Sequence, residues 1–190
     1  TRRYMGRLFG LAPEDVPVEW SPDTFGHAAT VPTYLVQGGI RFVYMHRPGA
    51  HGPHGASTPR AFWWVGPDGS RVLVRNDMAL GYNGVIGPQM VPRSLVAFAR
   101  ESGLKFSLFV YGVGDHGGGP TRRDLASLLD MAQWPIYPTL VFGTARQFFE
   151  RLEAEGGRLP VLEGELNFEF TGCYTTQALI KTANRFAEKR

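Results

Sequence analysis

Cysteine is nearly absent: Cys173 is the only one among 190 residues. One cysteine excludes an internal disulfide framework and any CxxC zinc site. It says nothing of redox compartment, because a disulfide-free secreted protein looks the same. Charge of one sign is also scarce. Twenty basic residues against 17 acidic leave a formal net charge of +3. No Lys/Arg tract carries the interleaved aromatics that nucleic acid binding uses, so no nucleic acid partner is expected. No apolar run approaches the roughly 20 residues that span a bilayer, and no signal peptide is visible, so no membrane partner is expected either. The chain starts with Thr1 rather than Met, and both ends are abruptly basic, which reads as a fragment of a longer polypeptide.

What is abundant is glycine and proline. The 24 glycines and 14 prolines make up about a fifth of the chain, against roughly 12% on average. With 13% aromatic residues, this reads as a loop-rich globular domain rather than a disordered segment. Its length suits one domain with a substantial core. No repeat or low-complexity tract interrupts it.

Apolar β-rich runs alternate with helical patterns, which predicts an α/β architecture with a mainly parallel sheet. Strands are expected at Ile40–His46, Ala61–Val65, Arg71–Arg75, Phe106–Tyr111, Thr139–Phe142 and Glu165–Phe170. Helices are expected at Ala28–Gln37, Pro92–Ser102, Arg122–Gln133, Ala145–Glu155 and Thr176–Lys189. Gly66-Pro-Asp-Gly69 reads as a hairpin turn. Thr144 is a natural N-cap for the fourth helix, and Gly103 a natural stop for the second.

Several constellations can carry chemistry. In Ser21-Pro-Asp-Thr-Phe-Gly-His27, Asp23 either caps the following helix or stands exposed at a strand end as nucleophile, base or metal ligand. In Gly112-Val-Gly-Asp-His-Gly-Gly-Gly-Pro-Thr121, five glycines surround Asp115 and His116, which removes side chains and lets a ligand approach the backbone. The alternatives there are a tight strand-to-helix turn or, with Arg122 and Arg123 following, a phosphate cradle that lacks the P-loop Lys-Ser/Thr. His46, His51 and His54 can gather around a metal or sit solvated in a loop. Glu165, Asn167 and Glu169 alternate along one strand face, lining either a cleft or solvent. Trp63, Trp64 and Tyr82 are either sugar platforms or ordinary core and turn residues.

Four of these segments occur in one order. Asp23-Thr-Phe-Gly-His27, Phe62-Trp-Trp-Val-Gly-Pro-Asp-Gly-Ser70, the Gly-rich Asp115 segment and Gly172-Cys-Tyr-Thr-Thr-Gln177, followed by Lys181-x-x-Asn184-Arg185, resemble glycoside hydrolase family 38, the α-mannosidases. The likeness runs from about residue 15 to the C-terminus. The Asp115 segment looks like the bacterial and cytosolic-type branch.

The resemblance implies a retaining exo-α-mannosidase built on a seven-stranded β/α barrel with a zinc ion. Residues 1–172 would be part of the catalytic barrel, and 173–190 would start a helical domain. Asp23 would be nucleophile and zinc ligand. Asp115 would be the acid/base, with His116 as the alternative at that place. Tyr82, His116 and Gln177 would contact substrate, Gln177 standing where other members carry an arginine. The family's His-x-Asp zinc pair belongs upstream of Asp23, and its final zinc histidine downstream. Neither is in the chain, so three of four ligands are expected outside it. The substrate would be a mannose-containing oligosaccharide, the location cytoplasmic, and the remaining partner the rest of the same polypeptide. Alone, the piece is expected to be inactive. Retention requires the two carboxyls about 5–5.5 Å apart, with Asp23 ionised and Asp115 holding a proton. Two other readings compete. One is a metal-dependent carbohydrate deacetylase using Asp23, His51 and His54. The other is a carbohydrate-binding or interaction domain using Trp63, Trp64 and Tyr82.

Overall fold

A computed structural model of the chain describes residues 2–48, 58–78, 81–114, 118–166 and 177–188. It contains a five-stranded sheet of β1 (Val18–Ser21), β2 (Phe42–Met45), β3 (Ala61–Val65), β4 (Arg71–Asn76) and β5 (Val161–Glu163), in the order β1-β2-β4-β3-β5. β1–β2, β2–β4 and β3–β5 are parallel, and the β3–β4 hairpin is antiparallel. The expected mainly parallel α/β sheet is thus present, in five strands.

The alternation of apolar side chains explains the layering. Phe42, Tyr44 and Leu73 face one side of the sheet, where they pack on Phe98, Phe148, Phe149 and Leu152. Those partners come from α3 (Met90–Ser102) and α5 (Ala145–Glu155). Val43, Met45, Phe62, Trp64, Val72 and Val74 face the other side, with Val31 and Leu35 of α2 (Val31–Gln37) and with Leu166. β2 is buried along its whole length, as a strand covered on both faces should be.

Local signals hold where they are strong. Gly66–Gly69 forms the β3–β4 turn, closed by Gly66 N–H donating to Ser70 O at 2.8 Å. Thr144 caps α5 and pairs reciprocally with Gln147. Thr121 and Asp124 make the same capping box on α4 (Arg122–Met131). Gly103 ends α3 at φ 74°, a left-handed conformation that suits glycine.

Two expected strands do not form. The only ladder contact of Phe106–Tyr111 among the described residues is an isolated parallel bridge between Gly84 and Tyr111. Thr139–Phe142 is not a strand either. Both stretches line a cleft of about 820 Å³, together with side chains of α3, α4 and α5. An apolar run records a tendency to be buried and does not specify a hydrogen-bonding neighbour. Conversely, β1 and β5, α1 (Arg2–Phe9) and the 3-10 turn Pro13–Asp15 are present without having been expected. The expected strand Glu165–Phe170 lies mostly outside the described residues; its Leu166 bridges antiparallel to His27. α6 (Ala178–Glu188) is exposed along its length, without a described helical bundle around it. Among the described residues no helix is long and apolar enough to cross a membrane.

Candidate functional site

β1, β2 and β4 run parallel side by side, so their carboxyl ends emerge together. Asp23 follows β1, His46 and Arg47 follow β2, and Asp77 follows β4. Loops at such strand ends are where α/β folds place ligands.

Asp23 is not a helix cap. The helix after it begins at Val31 behind Thr30, which makes no side-chain cap, leaving the carboxylate to another role. The Arg47 guanidinium takes it: Nε lies 2.6 Å and Nη2 2.5 Å from Oδ1. Both contacts fall on one oxygen. Arg47 also hydrogen-bonds the Tyr82 side chain and lies 5.0 Å over the Phe25 ring. Partial burial works against the Arg47 charge, but Asp23 and Tyr82 outweigh it and hold the guanidinium above its usual range. The Arg47 side chain is 25% exposed and that of Asp23 54%. An ion pair so open to water adds little stability. Its effect is to fix a reachable carboxylate.

A buried layer supports this pair. Tyr44, stacked at 4.0 Å on Trp20 of β1, donates its hydroxyl to Asp77 Oδ2 at 3.1 Å. Arg75 Nη2 stands 3.5 Å from Asp77 Oδ1, and its guanidinium lies 4.5 Å over Phe98. Burial, then the Asp77 charge, push the Tyr44 phenol far above its ordinary value. His46 Nδ1 hydrogen-bonds the backbone carbonyl of Asp77, and its ring meets that of Tyr82 edge-on at 5.5 Å.

The loop Gly81–Gly84 carries Tyr82 and joins the glycine-rich segment to this cluster. Gly84 N–H donates to Val110 O at 3.0 Å; a Cβ on Gly84 would stand only 2.7 Å from that oxygen. A Cβ on Gly114 would fall within 2.8 Å of Asn83 Cβ and Cγ. These two glycines are therefore required by close approach, and they bring the backbone just before Asp115 against the residues that follow Tyr82.

The match to known proteins decides the family. The family model described as the glycosyl hydrolases family 38 N-terminal domain matches residues 2–167. The chain belongs to this family. Similar proteins include human alpha-mannosidase 2C1, 36% identical over 176 residues, covering 90% of this chain and 16% of that protein. Alpha-mannosidase G of Dictyostelium discoideum is 33% identical over 172 residues, covering 88% of this chain and 15% of that protein. This chain thus spans about a sixth of the length of the curated relatives it matches. An alpha-mannosidase structure from Enterococcus faecalis V583 superposes with a TM-score of 0.60 at 22% identity, covering 80% of this chain and 18% of that one, which shows a shared fold.

Of the residues the family resemblance assigns, the structure joins Asp23 and Tyr82 through Arg47. Asp115 and His116 lie outside the described residues, as do His51, His54, Asn167 and Glu169. Gln177 is exposed just ahead of α6, where its carbonyl accepts from Lys181 N–H at 3.2 Å. Trp64 is no sugar platform: it is fully buried and donates Nε1–H to Gly164 O at 2.9 Å. Trp63 is covered by the Arg71 guanidinium at 4.7 Å and packs against the core. Arg47 went unnoticed in sequence because nothing local marks an arginine as the partner of a carboxylate 24 positions earlier.

Among the described residues no three His, Cys, Asp or Glu side chains gather closely enough to hold a metal ion. Asp23 offers a carboxylate, one oxygen of which Arg47 already occupies. The described residues therefore do not compose a zinc site.

Proposed function

We propose that this chain is part of the catalytic β/α barrel of an α-mannosidase that hydrolyses terminal α-mannosides with retention. The observation that carries this reading is the exposed Asp23 carboxylate, fixed by Arg47 at the carboxyl ends of parallel strands in a family 38 chain. Its relatives are named alpha-mannosidases, which supports a mannose-containing glycan as substrate.

With Arg47 on Oδ1, Oδ2 of Asp23 is the oxygen that attacks the anomeric carbon. The glycosidic C–O bond breaks as Asp115, protonated, gives its proton to the leaving oxygen. Water then attacks the glycosyl-enzyme, Asp115 takes its proton, and Asp23 is released. Tyr82 orients substrate beside Arg47, with His116 and Gln177 as further substrate contacts. A zinc ion belongs to this reading only with donors from outside the described residues. A seven-stranded barrel, a helical domain starting within 173–190 and a cytoplasmic location go with the same reading.

The test is mannose release from p-nitrophenyl α-D-mannopyranoside by the natural polypeptide that contains this chain. Asp23→Asn and Asp115→Asn should each cut turnover by about 10³-fold or more, and the first-formed sugar seen by NMR should be the α-anomer. Unchanged turnover in Asp23→Asn, or the β-anomer first, overturns the reading. The 190 residues alone should release no mannose.

A further inference from the structure

We infer that His46 is a substrate-binding residue of this site, accepting a hydrogen bond from a sugar hydroxyl through Nε2. The chemistry follows from its one backbone contact. Nδ1 faces the Asp77 carbonyl, and a carbonyl oxygen only accepts, so Nδ1 carries the hydrogen. In the neutral ring the lone pair is then on Nε2, and the contact also fixes the ring's orientation. The edge bearing Nε2 lies beside Gly81, where a Cβ would be 3.7 Å from Cε1 and 4.0 Å from Nε2; His46 is half-buried, and no described residue hydrogen-bonds Nε2. Tyr82 stands edge-on to the same ring at 5.5 Å, and Arg47, the next residue, holds Asp23. His46 therefore presents an Nε2 edge of fixed orientation, on the residue next to the arginine that holds the proposed nucleophile, where a hydroxyl-rich ligand needs an acceptor. Asp77, buried and engaged by Tyr44 and Arg75, anchors the imidazole from below.

The identity of the ligand as a mannoside rests on the reading above, and the experiment separates the two. In the natural polypeptide, KM for p-nitrophenyl α-D-mannopyranoside and Ki for methyl α-D-mannopyranoside are measured for wild type, His46→Gln and His46→Asn. The Gln amide reaches the place of Nε2, whereas the Asn amide reaches only the place of Nδ1. His46→Gln should stay within about threefold of wild type, and His46→Asn should weaken both constants about five- to tenfold, the scale of one hydrogen bond. A residue that merely held the Asp77 carbonyl would show the reverse order. Any result in which Asn performs as well as Gln, or better, overturns the inference. Failure of the mannosidase reading shows earlier and separately, as wild type without mannoside turnover or with turnover indifferent to Asp23→Asn.

Discussion

Asp77→Ala tests whether the buried layer beneath the site is an interdependent charge pair. Asp77 is 1% exposed and Arg75 is fully buried. Arg75 donates Nη1 to the carbonyls of Arg60 at 3.2 Å and Asn76 at 3.4 Å, and its Nε has no partner among the described residues. Burial works against its charge and lowers its pKa, an effect the facing Asp77 carboxylate offsets in part. Removing that carboxylate strands the guanidinium in the core and deprives the Tyr44 hydroxyl of its acceptor. Breaking a buried pair from one side costs about 3–5 kcal/mol. Folded domains hold only about 5–15 kcal/mol in total, so the loss is about a fifth or more. Removing both charges behaves differently, because replacing a buried pair by apolar groups is often neutral. Arg75→Met/Asp77→Ala should therefore be more stable than Asp77→Ala. Urea unfolding, with midpoint and slope compared across the set, measures both effects. A loss under about 1 kcal/mol for Asp77→Ala, or a double variant less stable than Asp77→Ala, refutes the interdependence.

Phe149 is fully buried, stacked on Phe42 at 5.1 Å and edge-on to Phe148 at 5.4 Å. Phe149→Ala should cost about 3–5 kcal/mol in urea unfolding, a value near 1 kcal/mol meaning that α5 does not seal this face. His27 is 6% exposed, edge-on to Trp64, and burial lowers its pKa against an opposing backbone hydrogen bond with Thr24. Its folded value lies below the ordinary one of about 6.5, so as pH falls through that value the unfolded chain takes up the proton first. This contribution to stability is full above pH 6.5 or so, is lost as pH falls towards the folded pKa, and is flat below it. His27→Gln should therefore show a shallower fall in urea midpoint between about pH 7 and pH 5 than wild type. Parallel pH curves for the two proteins would contradict this.

How much was legible depended on range. The β3–β4 hairpin, α5 with its Thr144 cap and the Gly103 stop of α3 were readable because turn, cap and periodicity signals lie within a few residues of what they control. β1 was not. Val18-Glu-Trp-Ser21 is four residues behind a proline, at the sheet edge, and its strand state comes from pairing with β2. Phe106–Tyr111 failed the other way: among the described residues, its six mostly apolar residues met no strand partner beyond one bridge. Tyr82 was noticed as an aromatic in a glycine-rich loop, but its link to Asp23 was not readable, since Arg47 makes it from another strand.

By itself the sequence determined the family, through four motifs in order, and singled out Asp23 as a candidate carboxylate. These are properties of segments, where side-chain type and spacing act directly on the backbone. The tertiary structure decided which groups meet. The order β1-β2-β4 sets three strand ends side by side, so that Asp23 faces Arg47 and His46 meets the Asp77 carbonyl across 24 and 31 positions of chain. It also decided that Trp64 is core rather than a sugar platform. Lateral strand order follows from how two apolar faces are covered at once by α2, α3 and α5, a condition on the whole sheet that no local window contains.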